Sequence, residues 1–132
     1  MTQDKLDISR ATEAIKDIRF VEALGLLESN LAKDPNHIDS LYLAAVCSRY
    51  LKNYDNSKKY IESLLSSAPD MGRAYQELGH LNRDMGNSEN AIAHYRQACE
   101  LNPALLASWK ALYDYFKRNK NKPAADHAFM QM

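Results

Sequence analysis

Residues 74–103 read AYQELGHLNRDMGNSENAIAHYRQACELNP. Tyr75, Leu78 and Gly79 stand at i, i+3 and i+4, which puts them on one stripe of a helix. Ala91, Tyr95 and Ala98 stand at i, i+4 and i+7 and make a second stripe. The stretch closes on Pro103, which cannot continue a helix because it lacks an N–H and clashes with the preceding turn. The unit is therefore two amphipathic helices joined by a short turn, ended by a proline.

Working outward, the unit repeats. Pro35, Pro69 and Pro103 are spaced by 34 residues. With each proline numbered position 32, position 4 holds Leu41, Tyr75 and Trp109, and position 7 holds Ala44, Leu78 and Leu112. Position 8 holds Ala45 and Gly79, and position 20 holds Ala23, Ser57, Ala91 and Ala125. Position 24 holds Leu27, Ile61, Tyr95 and Phe129. Small residues at 8 and 20 let paired backbones approach, and large residues at 4 and 24 fill the space beside them. Asn36 and Asp70, just after their prolines, are the expected N-caps of the following helices. Eight helices are predicted: 4–17, 20–33, 38–51, 54–67, 71–85, 88–101, 105–119 and 122–132.

A 34-residue helix–turn–helix period with this register resembles the tetratricopeptide repeat. The resemblance implies an all-α, right-handed superhelical solenoid of antiparallel helix pairs. It implies a single domain over 1–132 with units 4–37, 38–71, 72–105 and an incomplete 106–132. The first unit departs from the pattern with Arg10 at position 7 and Asn30 at position 27. Terminal repeats are commonly atypical because they cap the stack. The last unit has Tyr113 at position 8, too large for close approach, so that pair is expected to be splayed.

Composition narrows the function. Of 132 residues, 17 are basic and 17 acidic, and this neutrality disfavours a dedicated nucleic-acid binder. The N-terminal twenty residues carry charge throughout, with no apolar signal core. The longest apolar stretch, LYLAAVC at 41–47, is too short to span a bilayer. Cys47 and Cys99 lie in no CxxC pattern and read as buried reduced thiols. A cytoplasmic protein is expected.

No catalytic constellation is present: no phosphate loop, no GxGxxG and no HExxH. His80 and Asp84 share a helix face, but two ligands are too few for a metal site. His94 and His127 fall on second helices, on the outer surface. Aromatic and methionine residues at helical spacing read as core. No enzyme activity, cofactor or metal is expected.

The surface remains. The family resemblance assigns a concave groove to the first helices at positions 2, 5, 6, 9, 12 and 13. The residues there include Tyr42, Leu43, Val46, Arg49 and Tyr50, then Arg73, Gln76, Glu77, His80 and Arg83, then Lys110, Asp114 and Lys117. Together these groove positions lean basic, with an apolar and aromatic patch in the second unit. This predicts a peptide-binding scaffold that meets an acidic partner. A mixed, solvated face on a spacer is the competing reading. Tyr42, Val46 and Glu77 stand where a chaperone-tail clamp would need its lysines and asparagines, so that specificity is not expected.

Ala125, Ala128, Phe129 and Met132 make an apolar stripe on a final helix that stops short of a full repeat. It predicts the N-terminal part of a longer protein, or self-association through that helix. The run ASWKALYDYFKRNKNKPAADHAF at 107–129 resembles the end of the repeat array in bacterial proteins that fuse these repeats to a sulfotransferase. That resemblance implies an alternative role as a substrate-presenting arm of such an enzyme.

Overall fold

A computed structural model describes residues 3–132, with side chains from Asp7 onward. The chain falls into two compact units, residues 1–69 and 70–132. In the first, α1 (Gln3–Lys16) pairs with α2 (Phe20–Lys33), and α3 (Ile38–Tyr50) with α4 (Tyr54–Ser67). In the second, α5 (Gly72–Asp84) pairs with α6 (Ser88–Leu101), and α7 (Leu106–Arg118) with α8 (Lys122–Gln131). Every described element is a helix. The predicted helices agree with these bounds to within one residue at every end.

Each pair turns through the same three-residue corner. Ile18, Lys52, Gly86 and Lys120, one period apart, all have positive φ, from 57° to 84°. Asn53 N–H donates to Ser48 O at 2.8 Å and Lys52 N–H to Arg49 O at 2.9 Å, the paired bonds of a left-handed helix cap. The same bonds recur around the other three corners. Asn53 and Asn121 then cap the second helices, their Oδ1 atoms accepting from Asn56 and Ala124 N–H. Ile18 is the exception in chemistry, because a β-branched residue is strained in this region.

The N-caps of the first helices differ from expectation by one residue. His37, not Asn36, caps α3, its Nδ1 accepting from Ser40 N–H at 3.3 Å. Asp34 Oδ1 instead accepts from Asn36 N–H, which turns the chain around Pro35 and delays the helix. Asn102 makes the same turn around Pro103, accepting from Ala104 N–H at 3.1 Å. Met71, not Asp70, precedes α5 and makes no side-chain cap bond.

The size pattern is realised at the pair interfaces. In the first unit Ser57 Oγ donates to Ala45 O at 2.9 Å, so position 20 touches the backbone of position 8. Leu27, Ile61 and Leu64 are fully buried in this unit, and Leu27 packs with Ala11, Ala14, Ala23, Ala44 and Cys47. In the second unit the ring of Tyr95 lies directly over Gly79, and Tyr95 is 1% exposed. Leu112, Phe116, Ala91, Ile92, Ala125 and Ala128 complete that core.

In the last pair α7 still packs on α8, but the size pattern is not kept. Tyr113 occupies the small-residue position, and Phe129 is 62% exposed with its ring beside Tyr113 at 5.7 Å between centroids. Met85, Met130 and Met132 are also exposed, so among the described methionines these three are not core residues.

Candidate peptide-binding faces

The residues assigned to a groove stand on α3, α5 and α7, the first helices of their pairs. In the first unit Tyr42, Leu43 and Val46 are half-buried on α3. Arg49 and Tyr50 have other work. Arg49 is 6% exposed, with its guanidinium 4.5 Å from the centre of the Tyr50 ring. That ring stacks flat on Phe20 of α2 at 4.6 Å. Arg49 is thus set into the end of α3 and is not a solvent-facing cation. Tyr50 offers only one face.

In the second unit α5 and α7 lie side by side. Ser108 Oγ of α7 donates to Gln76 Oε1 of α5 at 2.7 Å, which fixes their relative register. His80 turns inward, with Nδ1 2.7 Å from the Tyr95 hydroxyl of α6 and the rings edge to face. Gln76 and His80 therefore hold helices together, and Glu77 is buried. The exposed side chains are Arg73 and Arg83 on α5 and Lys110, Asp114 and Lys117 on α7. Arg83 meets Asp84 at 3.1 Å, and Lys117 Nζ sits 5.6 Å from the Tyr113 ring centre. The exposed groups of this face are four cations against Asp114 and Asp84, arrayed on two helices whose spacing is fixed. Such a surface attracts acidic segments by charge and can hold them by charge-assisted hydrogen bonds.

The second-helix histidines differ. His127 is exposed and meets Trp109 edge to face at 5.8 Å. His94 is half-buried with its Nδ1 unsatisfied, and burial holds its pKa below the ordinary histidine value. Cys47 and Cys99 are buried and form no disulfide, and burial pushes Cys99 up to about 11. Among the described residues no group of three His, Cys, Asp or Glu is placed to hold a metal. No described helix is long and apolar enough to cross a membrane.

Sequence reasoning missed the Ser108–Gln76 tie, the His80–Tyr95 bond and the Phe20–Tyr50 stack. The first joins residues 32 apart, close to one repeat, so the period itself was the available signal. The other two join side chains whose meeting depends on helix rotation.

Antiparallel helix pairs with a buried small-to-large interface define the class of α-solenoid repeat modules. The profile of one family, described as tetratricopeptide repeat, matches residues 38–71 and 72–105. That is more than half of the chain, and the chain belongs to this family. No curated protein matches it. Among solved structures it is similar to MamA from Desulfovibrio magneticus RS-1, at 20% identity and a TM-score of 0.78, over 97% of this chain and 72% of that one. It is similar to a Thermobaculum terrenum O-GlcNAc transferase at 21% identity and 0.80, over 88% of this chain and 23% of that one. It is similar also to the first TPR of Spaghetti (RPAP3), bound there to an HSP90 peptide, at 15% identity and 0.78, over 89% and 94%. At these identities the likeness is one of fold.

Proposed function

We propose that the chain is a non-enzymatic, cytoplasmic scaffold that binds an acidic segment of a partner protein on the first-helix face of its second unit. The observation that carries this reading is the set of exposed cations on α5 and α7, held at fixed spacing by the Ser108–Gln76 hydrogen bond. Peptide capture by a module of like fold supports it, as in the Spaghetti (RPAP3) complex. Tyr42, Leu43 and Val46 give the first unit an apolar face of its own for a neighbouring segment. Arg49 and Tyr50 contribute to that face through their stack rather than through charge.

The test compares wild type with an Arg73→Glu/Arg83→Glu variant in capture of protein partners. Loss of the acidic partners from the variant is expected, and equal capture by both overturns the reading. Binding of RNA with a steep salt dependence would instead assign the same cations to nucleic acid. The sulfotransferase-arm alternative rests on the run at 107–129 alone, since none of the relatives named above is a sulfotransferase. Self-association is a second use of the chain's surface, favoured by the exposed Phe129, Met130 and Met132 at α8. Sedimentation that stays monomeric at high concentration would remove it.

A further inference from the structure

The two units solve one packing problem differently. In the first, Tyr60 of α4 packs against the core of that unit and meets Glu28 of α2. Its hydroxyl donates to Glu28 Oε1 at 3.3 Å, closing the cleft between the second helices. The apposition raises the Tyr60 pKa, chiefly through burial and then through the Glu28 charge. Two 34-residue periods later, the same register positions hold Ala128 and Arg96. The cleft between α6 and α8 thus lacks its tyrosine, and a cavity of about 350 Å³ stands there. That is the lower end of the range for small-ligand sites, roughly 300–1,000 Å³.

The cavity has formed walls. Trp109, Leu112 and Phe116 of α7 and Ala128 of α8 line it. The indole is fixed, because Trp109 Nε1–H donates to Pro103 O at 2.8 Å. Arg96 stands on the α6 wall with its guanidinium 5.1 Å from the Phe116 ring centre, and Glu100 and His127 complete the rim. At the position of the glutamate that takes the Tyr60 proton bond this wall carries Arg96, with Glu100 one turn further along the same helix.

We propose that this cavity binds an aromatic side chain of a partner polypeptide, with an adjoining carboxylate on Arg96. The chain's own Tyr60 shows the ring that fits the cleft, and the arginine sets the charge that accompanies it. The site lies among α6, α7 and α8 and is separate from the cationic face of α5 and α7. It does not depend on the function proposed for that face.

Trp109 is the only tryptophan, so its emission reads the site directly. The probe is the acetylated and amidated tripeptide Glu-Tyr-Glu, and its control carries alanine in place of tyrosine. With wild type, a saturable change in Trp109 emission is expected from the probe and not from the control. Ala128→Tyr refills the cleft as Tyr60 does and is expected to lower affinity at least ~10-fold, as a full pocket admits no second ring. Arg96→Glu is expected to lower it ~10-fold through the lost charge-assisted bond, and it decides the matter if Ala128→Tyr does not fold. Arg73→Glu/Arg83→Glu is expected to leave the response unchanged. No response in wild type, an equal response to the alanine peptide, or undiminished binding by a folded Ala128→Tyr each overturns the proposal.

Discussion

Gly79→Ala tests the contact that brings α5 against α6. A methyl at this position would lie 2.6 Å from Tyr95 Cδ1 and Cε1 and 2.9 Å from Cζ. Carbon atoms in contact prefer roughly 3.5–4.0 Å, so three ring atoms are overlapped by about 1 Å. The ring has little room to retreat. It is buried on all sides, and its hydroxyl is bound to His80, one residue along the same helix as Gly79. Overpacking of this kind costs ~1–3 kcal/mol, and the rigid ring points to the upper end. Replacing a helical glycine by alanine returns about 1 kcal/mol. The expected net loss is ~2 kcal/mol. Gly25→Ala is the matched control, because no neighbouring atom within 4 Å would meet its added methyl. That variant is expected to gain ~0.5–1 kcal/mol from helix propensity alone. Urea unfolding followed by Trp109 emission reports the second unit, and circular dichroism reports both. Gly79→Ala at or above wild-type stability would refute the close-approach argument.

Ile18→Gly should stabilise the chain by ~1 kcal/mol, because Ile18 holds φ 61° while 74% exposed and has little burial to lose; a lower melting temperature would show that the corner is not strained. Ser108→Ala should cost ~1–2 kcal/mol by leaving Gln76 Oε1 without its 2.7 Å donor, read by thermal melts. His94 is depressed in the folded chain, so the unfolded chain binds more protons between the folded pKa and about 6.5. Stability should therefore fall as pH drops through that window, and His94→Gln should flatten the slope relative to wild type. Cys99 should react slowly with iodoacetamide near neutral pH, since burial both shields the thiol and holds it protonated; fast alkylation of the folded chain would contradict the packing around it.

The helices were legible because one signal, the 34-residue period, fixed the apolar stripes, the small positions and the proline stops together. Where identity alone had to decide, the reading slipped. Asn36 is a good cap residue, but Asp34 binds its N–H first and passes the cap to His37. The corners were invisible as chemistry, because Ile18, Lys52, Gly86 and Lys120 share a backbone angle and no side-chain property. Arg49 and His80 sit at groove positions by count, yet each turns to an aromatic neighbour. A rotation of a few tens of degrees about a helix decides such outcomes, and a period of 34 does not resolve it.

Those corners have a consequence for how such chains diverge. Each is closed by amide and carbonyl groups, which every residue type but proline carries. Selection acting there preserves the number of residues between helices and is nearly blind to their letters. Descent can then replace most of the alphabet at a turn while a single deletion would shear the register of everything after it. Length is the inherited trait at these points, and a lineage of such modules would keep its count long after its spelling had drifted.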